Sequence, residues 1–360
     1  MTIHSPANSG HLIVYSPGIH TGGGIILLKA LLESDFLRSN RSTLFLDARS
    51  LSRITPPNNA SVVPVNPSIT GRLSAEWSLK SLCRKSDTVI CLHSLPPLFR
   101  LSGHTVCLLQ NILHLGHFPL HDYPARVRLR LTIERFIAYS LKSRVDTYIV
   151  QTPTVKQALL KSYKSVPQID ICPFMQPLPT HNNIATTTIE SDFVYIADGL
   201  PHKNHLNLVK AWIALAKDGL YPKLILTLTE RDRSLKAQID ELRIQHGLKI
   251  ENRGNLSQKE VFQLYTKTQA LIFPSYTESF GLPLVEASNL GVPVIAPELD
   301  YVRDVCQPAQ TFDPSSPRSI ARAVERFLAI EQKTPRLYSA DDFIQTAMRA
   351  GASESMDPTP

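Results

Sequence analysis

The sequence predicts an α/β protein made of two doubly wound, parallel-sheet units, and three observations carry that prediction. Short β-rich apolar runs alternate with amphipathic stretches along most of the chain, as they do where parallel sheets are covered by helices. The 360 residues exceed one domain of ordinary size and suit two. Between Met175 and Glu190 the composition turns to proline, asparagine and threonine with neither a helical nor a strand period, which marks a linker. The expected division is a first unit over 1–175, a linker over 176–190, a second unit over 191–335, and a C-terminal helix and frayed tail over 336–360.

In the first unit, strands are expected at 11–16, 42–48, 87–94, 105–111, 146–152 and 169–174, with helices near 24–34, 71–83, 125–142 and 154–163. In the second, strands are expected at 192–198, 223–229, 249–253, 270–275 and 293–298, with helices near 205–217, 232–246, 257–266, 283–290 and 317–330. ADDFIQTAMRA, in the tail, has the pattern of one docking helix. Two such Rossmann-like units leave a cleft between the carboxyl ends of their sheets, where open α/β sheets bind ligands.

With 43% hydrophobic and 19% charged residues, the chain is not disordered, collagenous or a coiled coil. No apolar run reaches the roughly 18 residues of a spanning helix. MTIHSPANSG has no basic stretch leading into an apolar one, so a cytoplasmic protein is expected. Cys83, Cys91, Cys107, Cys172 and Cys306 stand at wide, unpatterned spacing and read as buried thiols in reducing surroundings. The net charge of +7 is uneven: residues 1–180 hold 19 Lys and Arg against 9 Asp and Glu, whereas 181–360 hold 19 against 22. The basic first half calls for an anionic partner. No zinc-finger spacing or interleaving of aromatic with basic residues supports nucleic acid. A phosphate-bearing substrate, or peripheral contact with an anionic membrane at its inner face, is the expected partner.

Three motifs carry chemistry. SPGIHTGGG (16–24) lies between the first strand and the first helix, where Gly23 and Gly24 let backbone approach a bulky anion at a helix N-terminus. It has neither GxGxxG spacing nor a GKS or GKT ending, which sets aside a dinucleotide site and a P-loop. LPHKNHLNLVKAW (200–212) follows the first strand of the second unit. There Asn204 suits a helix N-cap and Lys203 sets an ammonium beside the N-terminus, a good seat for a diphosphate. His202 could add a donor, and His205 is expected on the helix surface. PSYTESFGLPLVEASNLGVPVIAP (274–297) is the most specific: a strand ends, a loop carries Glu278, and a helix opening near Pro283 carries Glu286 eight positions later. Two carboxylates so placed can accept hydrogen bonds from vicinal hydroxyls, and the amides of Phe280, Gly281 and Leu282 face an anion or sugar hydroxyls.

ESFGLPLVE resembles the Glu-x7-Glu signature of the retaining nucleotide-sugar glycosyltransferases of family 4, the "group 1" class with the GT-B fold. The likeness runs from about Phe193 to Phe327, through HKNH, RGNLSQKEVFQLY and NLGVPVIAPELDYVRDV, and the first unit is similar mainly in layout. The resemblance implies that Glu286 binds the ribose hydroxyls of the nucleotide and that Glu278 reaches toward the transferred sugar. It implies that Lys203 neutralises the departing diphosphate with Gly23 and Gly24 from across the cleft. Backbone near Arg253 would hold the base. No metal and no cofactor are implied, the nucleotide sugar being a substrate.

The sequence departs from that pattern in two places. Asp198 and Gly199 stand where the family often has a second diphosphate-binding arginine, leaving His202 or Arg231 as substitutes. Where the family often has a histidine near the reacting carbon, TVCLLQN ends in Gln110 and Asn111, so His93, Asn111 and His114 are the acceptor-side candidates. HxxHxxxH at 114–121 is broken by Gly116 and Pro119 and reads poorly as a metal site. PARVRLRLTIERF (124–136) clusters arginines on a helix suited to lipid phosphates or a lipid-linked acceptor. The expected activity is transfer of a hexose-type sugar from a nucleotide diphosphate to a hydroxyl of a saccharide or lipid-linked saccharide, in polysaccharide synthesis and with retention. The alternatives are a catalytically impaired sugar-binding GT-B protein, or a sugar-nucleotide epimerase or phosphorylase.

Overall fold

The first β-run of the sequence becomes an interior strand of a parallel sheet. The computed structural model describes residues 10–116, 118–177, 188–330 and 344. Its first part runs β1 (Leu12–Ser16), α1 (Gly22–Leu32), α2 (Asp35–Ser39), β2 (Ser42–Asp47), β3 (Ala60–Val65), α3 (Ile69–Leu82), β4 (Thr88–Cys91), β5 (His104–Leu108), α4 (Ala125–Ser140), β6 (Thr147–Val150), α5 (Pro153–Ser162) and β7 (Gln168–Ile171). The strands lie in the order β3-β2-β1-β4-β5-β6-β7, all neighbours parallel. Successive residues of β1 face opposite layers: Ile13 and Tyr15 pack with α3 and α5, Val14 with α1 and α2. Burial on both faces is why these strands read as continuous apolar runs.

The second part runs β8 (Ser191–Tyr195), α6 (His205–Lys217), β9 (Leu224–Leu226), α7 (Arg233–His246), β10 (Ile250–Asn252), α8 (Gln258–Tyr265), β11 (Thr268–Ile272), α9 (Leu282–Asn289), β12 (Val294–Pro297), α10 (Asp300–Arg303), β13 (Gln310–Phe312) and α11 (Pro317–Phe327). Its strand order is β10-β9-β8-β11-β12-β13, again parallel. Trp212 anchors its core, buried against Phe193 with its indole N–H donated to the Pro222 carbonyl. Each sheet reverses its winding once, between β1 and β4 and between β8 and β11, and the loops leaving strands at such a switch point are where open α/β sheets bind ligands.

Five elements depart from the sequence reading. β3, α2, α10 and β13 are additional, and α1 opens at Gly22 rather than at 24. Cys172 is exposed, against the reading of every thiol as buried, because it follows β7 at the sheet edge. The docking helix in ADDFIQTAMRA, the frayed tail and most of the linker lie outside the described residues. Among the described residues, no helix is long and apolar enough to cross a membrane.

Candidate active site

The loops leaving β8 and β11 are stapled together from below. The Tyr195 hydroxyl, buried between them, donates to the Lys203 carbonyl at 2.7 Å and lies 3.1 Å from Ser275 Oγ, while the Tyr301 hydroxyl donates to the Ser275 carbonyl. Asn204 takes the left-handed conformation, φ 62°, which asparagine tolerates better than most residues. From there its amide donates to the carbonyls of Pro274 at 3.0 Å and Pro314 at 2.7 Å. Asn204 thus occupies the N-cap position of α6 without capping by its side chain. The corrected role is a tie between loops.

This framework brings Lys203 and Glu278, 75 residues apart, into contact: Nζ lies 2.7 and 2.8 Å from the two carboxylate oxygens. The side chains are 16% and 10% exposed, so water screens the pair little. Burial works to lower the Lys203 pKa, but Glu278 and then Asp198 outweigh it and raise it, keeping the ammonium charged.

Three residues on, Gly281 adopts φ +72°, and a Cβ there would stand 3.0 Å from Leu284 Cδ1. The tight turn opens α9 with Pro283 in its first turn. Among the described residues, the amides of Phe280, Gly281 and Leu282 donate to no protein acceptor, as the head of a helix leaves them. Glu286, on the same helix, is 4% exposed and accepts from the Tyr265 hydroxyl at 3.3 Å. Burial pushes its carboxyl up to about 7, only partly offset by that hydrogen bond.

Across the cleft stands the glycine loop. A Cβ on Gly23 would lie 3.3 Å from Leu282 Cδ1, and one on Gly24 would lie 3.3 Å from Gln110 Oε1. Arg231 Nη1 reaches to 3.5 Å from Thr21 Oγ1, so this arginine spans the two domains beside the glycines. The Ile112 amide donates to Ser279 Oγ at 2.8 Å, and the Tyr123 hydroxyl lies 2.6 Å from His202 Nδ1. Tyr123 was not legible as a site residue because it belongs to no spaced motif, and Ser279, although inside the 274–297 motif, was not singled out because its partner Ile112 is distant in sequence. His202 cannot serve as the second cation, because burial, then Lys203, drops its pKa to about 3. Arg231 is the substitute that faces the cleft.

The acceptor-side candidates gather but turn inward. Asn111 Nδ2 and Glu134 Oε2 lie 3.3 and 3.2 Å from His114 Nε2, and burial keeps His93 neutral, packed edge-on to Tyr15. Ser94, at φ 64°, accepts from the amides of Gln110 and Asn111 and fixes this corner. Arg253 is held by Glu251 and Glu190 at 2.9 and 3.1 Å, so its guanidinium is engaged at the sheet edge and not offered to a base. His205, expected on the surface, is 2% exposed, its ring tilted over Tyr195 at 4.7 Å. The short loop tie at Asn204 turns the first residue of α6 inward. Among the described residues, no cluster of three His, Cys, Asp or Glu is placed to hold a metal.

Residues 181–342 match the family model described as "Glycosyl transferases group 1". The serotype-specific mannosyltransferase WbdA of Escherichia coli is 29% identical over 153 residues, 42% of this chain and 19% of that protein. The O-antigen chain mannosyltransferase RfbU of Salmonella typhimurium is 25% identical over 205 residues, 56% of each chain. These alignments thus span less than a fifth of the first relative and little over half of the second. Among solved structures, Anabaena Alr3699/HepE in complex with UDP and glucose superposes with a TM-score of 0.62 at 14% identity, over 88% of this chain and 90% of that one. Two parallel α/β domains of this likeness make the architecture GT-B. The part of the chain that carries Lys203, Glu278 and Glu286 is the part the family model matches, and it is that part which is similar to the group 1 glycosyl transferases.

Proposed function

We propose that the protein transfers a hexose from a nucleoside-diphosphate donor to a hydroxyl of a saccharide or lipid-linked saccharide in polysaccharide assembly, with retention and without metal. The observation that supports this most is the Lys203–Glu278 pair at the switch point of the second sheet, beside the amides of Phe280 to Leu282 and opposite the glycine loop. On this reading Lys203, Arg231 and the amides take the phosphates, and stabilise the charge that grows on them as the sugar leaves. Glu278 accepts hydrogen bonds from the transferred sugar, and Glu286 from the ribose diol. The anomeric C–O bond to phosphate breaks as the acceptor oxygen attacks from the same face, and the acceptor proton passes to the departing phosphate oxygen. The nucleotide base is held by backbone.

Mannose is the first sugar to test, since the curated relatives above are named as mannosyltransferases, and UDP-sugars come next, since HepE was solved with UDP and glucose. Incubation of the purified protein with GDP-mannose or UDP-sugars and saccharide acceptors should release nucleoside diphosphate and give an α-linked product by NMR. Lys203→Ala and Glu278→Ala should abolish release. Inversion at the anomeric carbon would refute retention. Conversion of donor without acceptor would make the protein an epimerase, and nucleotide binding without turnover would make it a sugar-binding relative.

A further inference from the structure

The first domain carries an apolar face that the transfer reaction does not use. On α4, Leu129, Ile133 and Phe136 recur at helical spacing and are 62%, 50% and 71% exposed. Leu131 and Ala138, which fix this helix to the core, lie on its opposite side, so the stripe points away from the protein. On α3, Ile69, Leu73 and Trp77 recur four apart and are 81%, 44% and 64% exposed. Both helices sit on the same side of the first sheet: α3 shares its apolar layer with α5, and Arg72 of α3 acts electrostatically on Glu134 of α4. Between α4 and α5 a hollow of about 480 Å³, lined by Phe136, Tyr139 and Tyr163 with Arg135 and Lys161, extends the apolar surface.

The charges on this face have one sign. α3 and α4 carry Arg72, Lys80, Arg126, Arg128 and Arg130 against two acids, while Arg135 is drawn inward to donate to the carbonyls of Leu113 and Phe118. Both acids turn inward: Glu76 accepts from the Tyr15 hydroxyl and the Leu98 amide, and Glu134 meets His114. Exposed apolar side chains flanked by arginines, with an exposed tryptophan, match the interface of an anionic bilayer. A second copy of the chain fits badly, since a two-fold contact would set the α4 arginines against themselves.

We propose that α3 and α4 seat this protein on an anionic lipid surface, Leu129, Ile133, Phe136 and Trp77 entering the headgroup–acyl boundary while Arg126, Arg128 and Arg130 pair with lipid phosphates. α4 begins two residues after Tyr123, the residue that touches His202 of the second domain, so the seated face adjoins the mouth of the cleft.

The full chain itself supplies a reporter. It has two tryptophans; Trp212 is 1% exposed in the second-domain core, so a fluorescence change on lipid binding reads Trp77. The full-length protein should float with phosphatidylcholine vesicles containing phosphatidylglycerol, with a blue shift of Trp77, and not with phosphatidylcholine alone. Salt should reverse it. Replacing Arg126, Arg128 and Arg130 together by Gln should weaken binding about 100-fold. Ile133→Glu with Phe136→Glu should abolish it with unchanged circular dichroism. Flotation that these variants leave intact, or that leaves Trp77 unmoved, overturns the proposal. So does failure to float on anionic vesicles. A concentration-dependent dimer dispersed by Ile133→Glu with Phe136→Glu in the absence of lipid would assign the face to a second copy and equally overturn it. No donor or acceptor enters this assay, so its failure is distinct from failure of the transfer reading.

Discussion

Glu286→Gln tests the site through stability, with no substrate present. The wild-type carboxyl is 4% exposed and titrates near 7 instead of 4.5, because burial disfavours its charged form. Between those values the native state holds a proton that the unfolded chain has lost, so stability falls as pH rises through that window and levels off above pH 7. The full effect is about 3 kcal/mol, of which ~2 kcal/mol falls between pH 5.5 and 8. The glutamine variant cannot titrate and lacks this slope, so its stability relative to wild type should rise by ~2 kcal/mol across that range. Urea unfolding at several pH values, followed by Trp212 fluorescence in a Trp77→Phe background, isolates the second domain. Equal pH slopes in the two proteins would refute the assignment of a buried, proton-holding carboxyl at Glu286. If Glu286 accepts from the ribose diol as proposed, donor should bind more weakly below pH 7, where the carboxyl is protonated.

Removing one partner of the buried Lys203–Glu278 pair strands the other charge. Lys203→Met should therefore cost about 3–5 kcal/mol, much of it recovered in Lys203→Met with Glu278→Gln, with transfer lost in both, as unfolding and product-release assays would show. Gly281→Ala places a Cβ at φ +72° and 3.0 Å from Leu284 Cδ1, and should cost about 1–3 kcal/mol and most of the activity. Tyr123→Phe removes the 2.6 Å contact with His202 and should loosen the domains by about 1 kcal/mol without unfolding either. Small-angle scattering would record an increased radius of gyration, and faster hydrogen exchange is expected at the Tyr276 amide, which donates to the His202 carbonyl.

The doubly wound layers were legible because their strands are apolar runs buried on both faces; β1, β2 and β8 could be read directly. β3 was not, because ASVVPV is a half-exposed edge strand that follows Pro-Pro-Asn-Asn and contains Pro64, so local chemistry reads as a turn. β13 and α10 are too short for any period to show. In the site, Glu278, Lys203 and the residues from Phe280 to Glu286 stood out because spacing around a loop-to-helix turn is a local property. Their partners are not local. That Lys203 would bind Glu278, that Arg253 would be held by Glu190, and that Tyr123 would meet His202 depends on long-range folding that one sequence does not display.

The Lys203–Glu278 pair also bears on ligand choice. A phosphate ion arriving alone finds an ammonium whose charge is already answered, and must part it from a carboxylate with nothing to offer in return. On the proposed reading, a sugar joined to a diphosphate brings hydroxyls for the acid and oxygens for the amine in a single visitor, so both halves of the swap are compensated together. Once the sugar has gone, the nucleotide left behind fills one half only, and re-formation of the internal pair helps to eject it. If the transfer reading holds, a neutral lock of this kind would favour the intact substrate over its own fragments.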